Sequence, residues 1–193
     1  MVDRYRARRE GGGPARFNVA RIFGLGKKYG LGAAATPRVS FRKNPDGKVF
    51  TDDEALAAIE KSGIDVPDDV QIQFVNTLGR KDGAKAQYLQ IGKVPEDKTI
   101  TWRSFKNIKG KIPVTFERTL FDSEEEFLAH VEHEMFELRK LESFFEKNRA
   151  VPARKLREMI NDVRSGGLPN NLHEQAWESA DDLILQRRGG GVR

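Results

Sequence analysis

The chain has 193 residues, a formal net charge of +5 and no cysteine; 38% of its residues are hydrophobic and 33% charged. That length suits one medium domain with a tail or two very small ones, and the composition is polar without being that of a disordered chain. The missing cysteines exclude disulfides, thiol nucleophiles and thiolate metal sites, so a transition-metal site must use His, Asp and Glu. No apolar run reaches the 18 residues of a membrane span.

Residues 1–50 carry 12 Lys and Arg against 3 Asp and Glu, residues 51–121 carry 11 of each, and residues 122–186 carry 8 against 15. A basic head and an acidic tail either attract one another or leave the head for a polyanion. Residues 1–37, rich in Gly, Arg and Ala, read as a basic arm. Phe17, Ala20, Ile22, Phe23 and Leu25 suit a short amphipathic helix there, which Gly24, Gly26 and Gly30 would weaken. The arm either docks loosely on the domain or grips nucleic acid or an anionic surface. Its nucleic-acid-binding candidates are Arg4, Arg6, Arg8, Arg9, Arg16, Arg21, Lys27 and Lys28. The N-terminus lacks the apolar core of a secretion signal. The expected location at synthesis is the cytoplasm, unless a non-classical route exports the chain or it belongs to a larger polypeptide.

"RVSFRK" (38–43) alternates and predicts a strand, and "NPDGK" (44–48) a turn. "TDDEALAAIEKSG" predicts a short helix with Thr51 as cap and Gly63 as stop. "VQIQFVN" (70–76) alternates with Val70, Ile72 and Phe74 on one face. "AKAQYLQIG" (84–92) predicts a second strand, joined through a hairpin at "GRKDG". Strands are also expected at 99–105 and 111–120, with Pro113 suiting an edge or a strand start. From Asp122 the period changes from two to 3.6. Helices are expected over 122–148, capped by Asp122 or Ser123; over "VPARKLREMINDV"; and over 172–188, capped by Asn171 with Glu174 three residues on. Strands first and helices last predict an α+β fold: a mainly antiparallel sheet with three C-terminal helices packed on it, one domain over 38–187, and a Gly/Arg tail at 188–193.

The chemistry concentrates in "HVEHEMFEL" (130–138), which holds two of the three histidines. At about 100° per residue, Phe127, Val131, Met135, Leu138, Leu141 and Phe145 form the buried stripe of the 122–148 helix. His130, His133 and Glu137 form a second stripe along its border. Glu134 falls between the two, where partial desolvation should raise its pKa, as a general base requires. On the 172–188 helix, Leu172, Ala176, Ala180, Leu183 and Ile184 define the buried face, with Trp177 at its border, and His173 falls within that face. If the two helices pack together, His133, Glu137 and His173 can bind a divalent metal, zinc first, with Glu134 activating a water. The bland alternative is a core histidine bonded to Glu134 or a backbone carbonyl beside a solvated helix face. The strand aromatics Phe74, Tyr88, Trp102 and Phe116, with Lys106, Lys109 and Lys111 nearby, suit either a sheet core or a stacking platform for single-stranded nucleic acid.

A strand followed by a helix bearing H-E-x-x-E, over residues 111–138, resembles the edge strand and active-site helix of zincin metalloproteases. It departs at Glu137, where a zincin has its second His, and that departure bears on metal affinity. The pairing of "HEMFELRKLE" with "GGLPNNLHEQAWESADDLI" is similar to C-terminal effector domains of bacterial polymorphic-toxin and phage-associated proteins, over residues 84–187. That resemblance implies an effector-like context with a cognate partner protein and supplies no catalytic residue. The positions it marks are His133, Glu134, Glu137, Asn171, His173 and Trp177.

The leading expectation is a metal-dependent hydrolase-like effector domain, peptidase or nuclease, with Glu134 as catalytic base and His133, Glu137 and His173 as ligands. His130, Asn171 and Trp177 are secondary site residues. The alternatives are a nucleic-acid-binding module with structural histidines, and a component of a virion or secretion machine.

Overall fold

The computed structural model describes residues 37–79, 84–88, 94–161 and 172–189. Among them are four α-helices, α1 (Asp52–Ser62), α2 (Glu124–Lys147), α3 (Ala153–Asn161) and α4 (Leu172–Arg187). Five strands accompany them: β1 (Val70–Val75), β2 (Ala86–Gln87), β3 (Thr99–Ile100), β4 (Ile112–Glu117) and β5 (Val151–Pro152). The arm residues from Arg4 to Lys28, the cap candidate Asn171, the turn residues 80–83 and the end of the tail lie outside the described residues.

Thr51 starts α1 through a capping box. Its hydroxyl accepts the Glu54 amide at 3.2 Å, and the Glu54 carboxylate accepts the Thr51 amide at 2.9 Å. Two otherwise orphaned amides are thereby satisfied. Gly63, at φ 77°, ends the helix in the left-handed conformation that glycine adopts without a Cβ penalty. The expected turn at 44–48 is present as a 3-10 turn over Pro45–Gly47.

The α+β character and the prevalence of antiparallel pairings are present, but one pairing runs parallel. The order is β1-β4-β2, with β1 and β4 parallel from Val70↔Ile112 to Val75↔Glu117 and β2 antiparallel to β4. β3 and β5 form a separate antiparallel ribbon. Two of the three pairings are antiparallel, yet the longest is parallel. β1 and β2 do not pair, because β4 lies between them, so the expected hairpin ladder is absent. Alternation of apolar residues sets which face of a strand is buried; it carries no information on partner direction. Three other strand expectations shrink. Trp102–Phe105 turn into a 3-10 helix after Ile100 and Thr101, Arg118–Asp122 do so after Glu117, and 38–43 form no strand.

Pro113 is the second residue of β4, as the strand-start expectation has it, although β4 is the central strand and not an edge. The Ile112 amide bonds toward β1, to the Asp69 carbonyl, whereas the Glu117 amide bonds toward β2, to the Lys85 carbonyl. Alternation puts position 113 on the β2 side, and β2 reaches only Thr115 and Phe116. Among the described residues β2 ends short of position 113, and a proline, which has no amide to donate, breaks no ladder bond with them there.

The buried faces of β1 and β4 meet α2. Phe127 is fully buried and packs at 5.8 Å from Phe116, 5.4 Å from Phe121 and 6.0 Å from Phe74 by ring centroid. Each such ring is worth about 1.5–3 kcal/mol on burial. Ser123, the expected alternative to Asp122, caps α2 by accepting the Glu126 amide at 3.1 Å. The three glutamates of its first turn complement the positive end of the helix, and Arg187 and Arg188 from the end of α4 pair with Glu124 and Glu125.

The three C-terminal helices do not all lie on the sheet. α2 does; α4 packs along α2, and α3 contacts α4 and the β3–β5 ribbon. A layer of helix on helix thus covers the side of α2 that the sheet leaves free. Residues 38–43, expected as a strand, cross these helices as an irregular strap. The Arg38 amide donates to Asp181 at 2.8 Å, the Arg42 amide donates to Glu125 at 2.7 Å, and the Arg38 guanidinium reaches Glu178 at 3.0 Å. This part of the basic head does meet the acidic tail, and side-chain carboxylates take amides that a ladder would have used. No helix among the described residues is long and apolar enough to cross a membrane.

Candidate metal centre

The layering of α4 on α2 decides where the histidines go. The apolar stripe of α2 is buried as its spacing predicts: Phe127, Val131, Met135, Leu138, Leu141 and Phe145 are all in the core. His133 and Glu137, expected on the border, are 4% and 1% exposed, because α4 covers that border. On α4, Leu172, Ala176, Ala180 and Ile184 are fully buried against α2, and His173 at the same face turns toward Glu137.

The three expected ligands converge. His133 Nε2 lies 3.2 Å from Glu137 Oε1, and His173 Nδ1 lies 3.0 Å from the same oxygen. One donor atom from each residue falls within 4.8 Å of the other two. The second Glu137 oxygen, Oε2, accepts the Tyr88 hydroxyl at 2.7 Å. The imidazoles of His133 and His173 meet edge to face at 4.5 Å, and the Trp177 indole lies 4.3 Å from His133.

Burial alone would raise the Glu137 carboxyl, but the His133 and His173 imidazoles outweigh it and hold it below the usual carboxylate range. Burial lowers His133, and His173 adds to this, against the opposing pull of Glu137. Burial pushes the Tyr88 hydroxyl well above its ordinary range, with the Glu137 and Glu134 carboxylates pushing the same way. At neutral pH the cluster is an ionised Glu137 ringed by N–H and O–H donors, with His133 neutral and Tyr88 protonated.

Such a cluster fits a metal ion on most counts. Ligand bonds of about 2.0–2.2 Å in a tetrahedral site set neighbouring donor atoms roughly 3.3 Å apart. The spacings of 3.0 and 3.2 Å around Glu137 Oε1 need only slight expansion to reach that. They are also ordinary hydrogen-bond lengths. Two imidazoles and one carboxylate suit a borderline divalent ion such as zinc, and Tyr88 already supplies the outer hydrogen bond that ligating carboxylates use. The departure is His133 Nδ1, which is buried and meets no hydrogen-bond partner among the described residues. A metal-bound histidine normally donates from its second nitrogen.

The other expected site residues fall nearby. Glu134 is 8% exposed and close enough to Tyr88 to act on its titration. His130 stands apart from the triad: its Nδ1 donates to the Glu126 carbonyl at 2.8 Å and its ring meets Trp177 at 5.2 Å. Burial brings its pKa down to about 4, against the raising pull of that carbonyl. Trp177 lies against both histidines of α2. Of the aromatics of the stacking platform, Phe74, Tyr88 and Phe116 are 4%, 5% and 0% exposed and belong to the core, while Trp102 is half-buried.

Tyr88 is the site residue that reading the sequence as a sheet core overlooks. Its signal is the phenol itself, since a buried tyrosine, unlike phenylalanine, needs a partner for its hydroxyl. Two further buried acids have structural partners. Glu132 accepts from Arg139 at 2.8 Å and from Ser179 at 2.7 Å, and Asp181 accepts the strap amides. Comparison with family models, with curated proteins and with solved structures gives no match to this chain.

Proposed function

We propose that the α2–α4 interface is a divalent-metal site, zinc first, of a hydrolase-like effector domain. The observation that carries this reading is the convergence of one donor atom each from His133, Glu137 and His173 within 4.8 Å. Two imidazoles and a carboxylate with one position left open form a donor set used by hydrolytic zinc sites. A bound ion would supply Lewis acidity at the substrate. Glu134, next to His133 on α2, is the general base that takes the proton of an attacking water. His173, at 15% side-chain exposure the most accessible of the three ligands, marks the side from which substrate approaches.

Elemental analysis of untagged protein purified without chelator tests this. A near-stoichiometric transition metal is expected in the wild type, with loss in His173→Ala. Glu134→Gln should retain the metal and lower hydrolysis of a peptide or nucleic-acid substrate by about 100-fold or more. Metal-free wild-type protein that gains none on dialysis against zinc would overturn the reading.

A second reading is favoured by the same geometry: a hydrogen-bonded core cluster in which Glu137 accepts from three donors and binds no ion. It predicts that His173→Ala lowers thermal stability and changes nothing else. The basic residues from Arg4 to Lys28 would add a grip on nucleic acid, which would make the hydrolase a nuclease or, without catalysis, the domain a binding module. Binding should then weaken steeply with salt and disappear on deletion of residues 1–37; binding indifferent to salt would remove that role. The effector context, with its cognate partner protein, and a place in a virion or secretion machine rest on resemblance and predict a stable co-purifying partner.

A further inference from the structure

We propose that Tyr88 is a positioning residue that makes Glu137 a one-oxygen ligand, an inference that rests on the metal reading above. A glutamate carboxylate turns readily about its last bond, so a ligating Glu can offer one oxygen or two. Here the two oxygens are divided. Oε1 faces His173 Nδ1 at 3.0 Å and His133 Nε2 at 3.2 Å, whereas Oε2 accepts the Tyr88 hydroxyl at 2.7 Å. The imidazoles come from the two helices, and the hydroxyl comes from the sheet side, one residue past β2.

The phenol is itself held. It is 5% exposed, and its ring stacks on Phe105 at 6.4 Å with an interplanar angle of 24°. Phe105 is 2% exposed and meets Phe145 of α2 at 5.7 Å. The hydroxyl is therefore aimed by the aromatic core and not by its own torsions. It donates to Oε2 at 2.7 Å, so that oxygen is engaged. With Oε2 engaged, an ion at the cluster meets two nitrogens and one oxygen. A four-coordinate ion then keeps one position for substrate. Were both oxygens free to bind, Glu137 would add a second oxygen and take the ion beyond four-coordination. Tyr88 thus sets coordination number as well as ligand orientation, the kind of outer hydrogen bond whose loss typically costs about 10–100-fold in metal affinity.

Cobalt(II) is the probe, because the intensity of its visible absorption falls as coordination number rises above four. Full-length wild-type protein should bind cobalt with the intense bands of a four-coordinate site. Tyr88→Phe should bind it about 10–100-fold more weakly, with weaker bands as Oε2 joins the ion. Tyr88→Phe that keeps both the wild-type affinity and the wild-type spectrum overturns this inference and leaves the metal reading standing. Wild-type protein that is folded by circular dichroism and binds no cobalt overturns the metal reading, and the role of Tyr88 with it. A fall in melting temperature alone is what loss of any buried hydrogen bond gives, so the spectrum decides.

Discussion

Near its start, α2 packs Phe127 among Phe74, Phe116 and Phe121; roughly two to three turns later it packs His133 and Glu137 against His173, Tyr88 and Trp177. Both regions are dry: Phe127 is fully buried and Glu137 is 1% exposed. They are held by different physics. The aromatic nest gains from area and edge-to-face contact, which depend little on pH or solutes. In the polar cluster, an ionised carboxylate is tolerable only while its donors stay in place and in the right protonation state. One helix thus carries an unconditional anchor and a conditional one, and the conditional one is where chemistry can be regulated or performed.

The largest effect expected from breaking this contrast is at the anchor. Phe127→Ala should cost about 3–5 kcal/mol in urea unfolding, with the same loss at pH 7 and pH 5.5. A loss below about 1 kcal/mol would mean that the nest repacks, and the contrast would weaken. Next comes Glu137→Gln, which removes the charge and leaves donors of the cluster unpaired. It should cost about 1–3 kcal/mol and abolish cobalt binding, whereas Phe127→Ala should leave any folded fraction able to bind it.

The pH dependence of the conditional region follows from the directions of the shifts. His130, brought down to about 4 in the fold, and His133, also lowered, take up protons more readily when unfolded. Their stabilisation is complete above the unfolded histidine pKa of about 6.5 and is lost as pH falls toward the folded values. Glu137, lowered in the fold, adds a loss of the same sign beginning lower, near the unfolded glutamate pKa of about 4.3. The urea midpoint should therefore fall between pH 7 and pH 5, by up to about 1.4 kcal/mol per pH unit for each histidine taking part. His130→Gln should flatten that slope. A midpoint constant over this range would show that the histidines titrate normally and that the cluster is no different from the nest. The smallest effect lies away from both regions: Thr51→Ala removes the hydroxyl of the α1 capping box and should cost about 1 kcal/mol, independent of pH and of metal.

Local signals in the sequence were legible, and partnerships between distant segments were less so. Thr51, Glu54 and Gly63 bracket α1 because capping chemistry is written within a dozen residues. The apolar stripe from Phe127 to Phe145 marks the buried face of α2 by its period alone. His173 was readable as inward-facing from its position among Leu172, Ala176 and Ala180, and the only assumption was which helix it would meet. What periodicity lacks is direction and partner. Nothing in "VQIQFVN" says that β1 runs parallel to β4, and nothing in "RVSFRK" says that Asp181 and Glu125 will take its amides. The full burial of His133 and Glu137 likewise depends on α4, which begins 35 residues beyond Glu137. Tyr88 was hidden for the same reason, since its acceptor is 49 positions away.

Trp177 gives the cluster an optical voice. The chain has two tryptophans. Trp102 sits among phenylalanines, 5.2 Å from Phe105 and 6.3 Å from Phe145, while Trp177 rests 4.3 Å from His133 and 6.3 Å from His173. An indole in contact with imidazoles dims when they gain a proton and dims again when a paramagnetic ion settles among them. With Trp102 exchanged for phenylalanine, emission from the remaining indole becomes a built-in lamp for the α2–α4 seam, readable in dilute solution without any label.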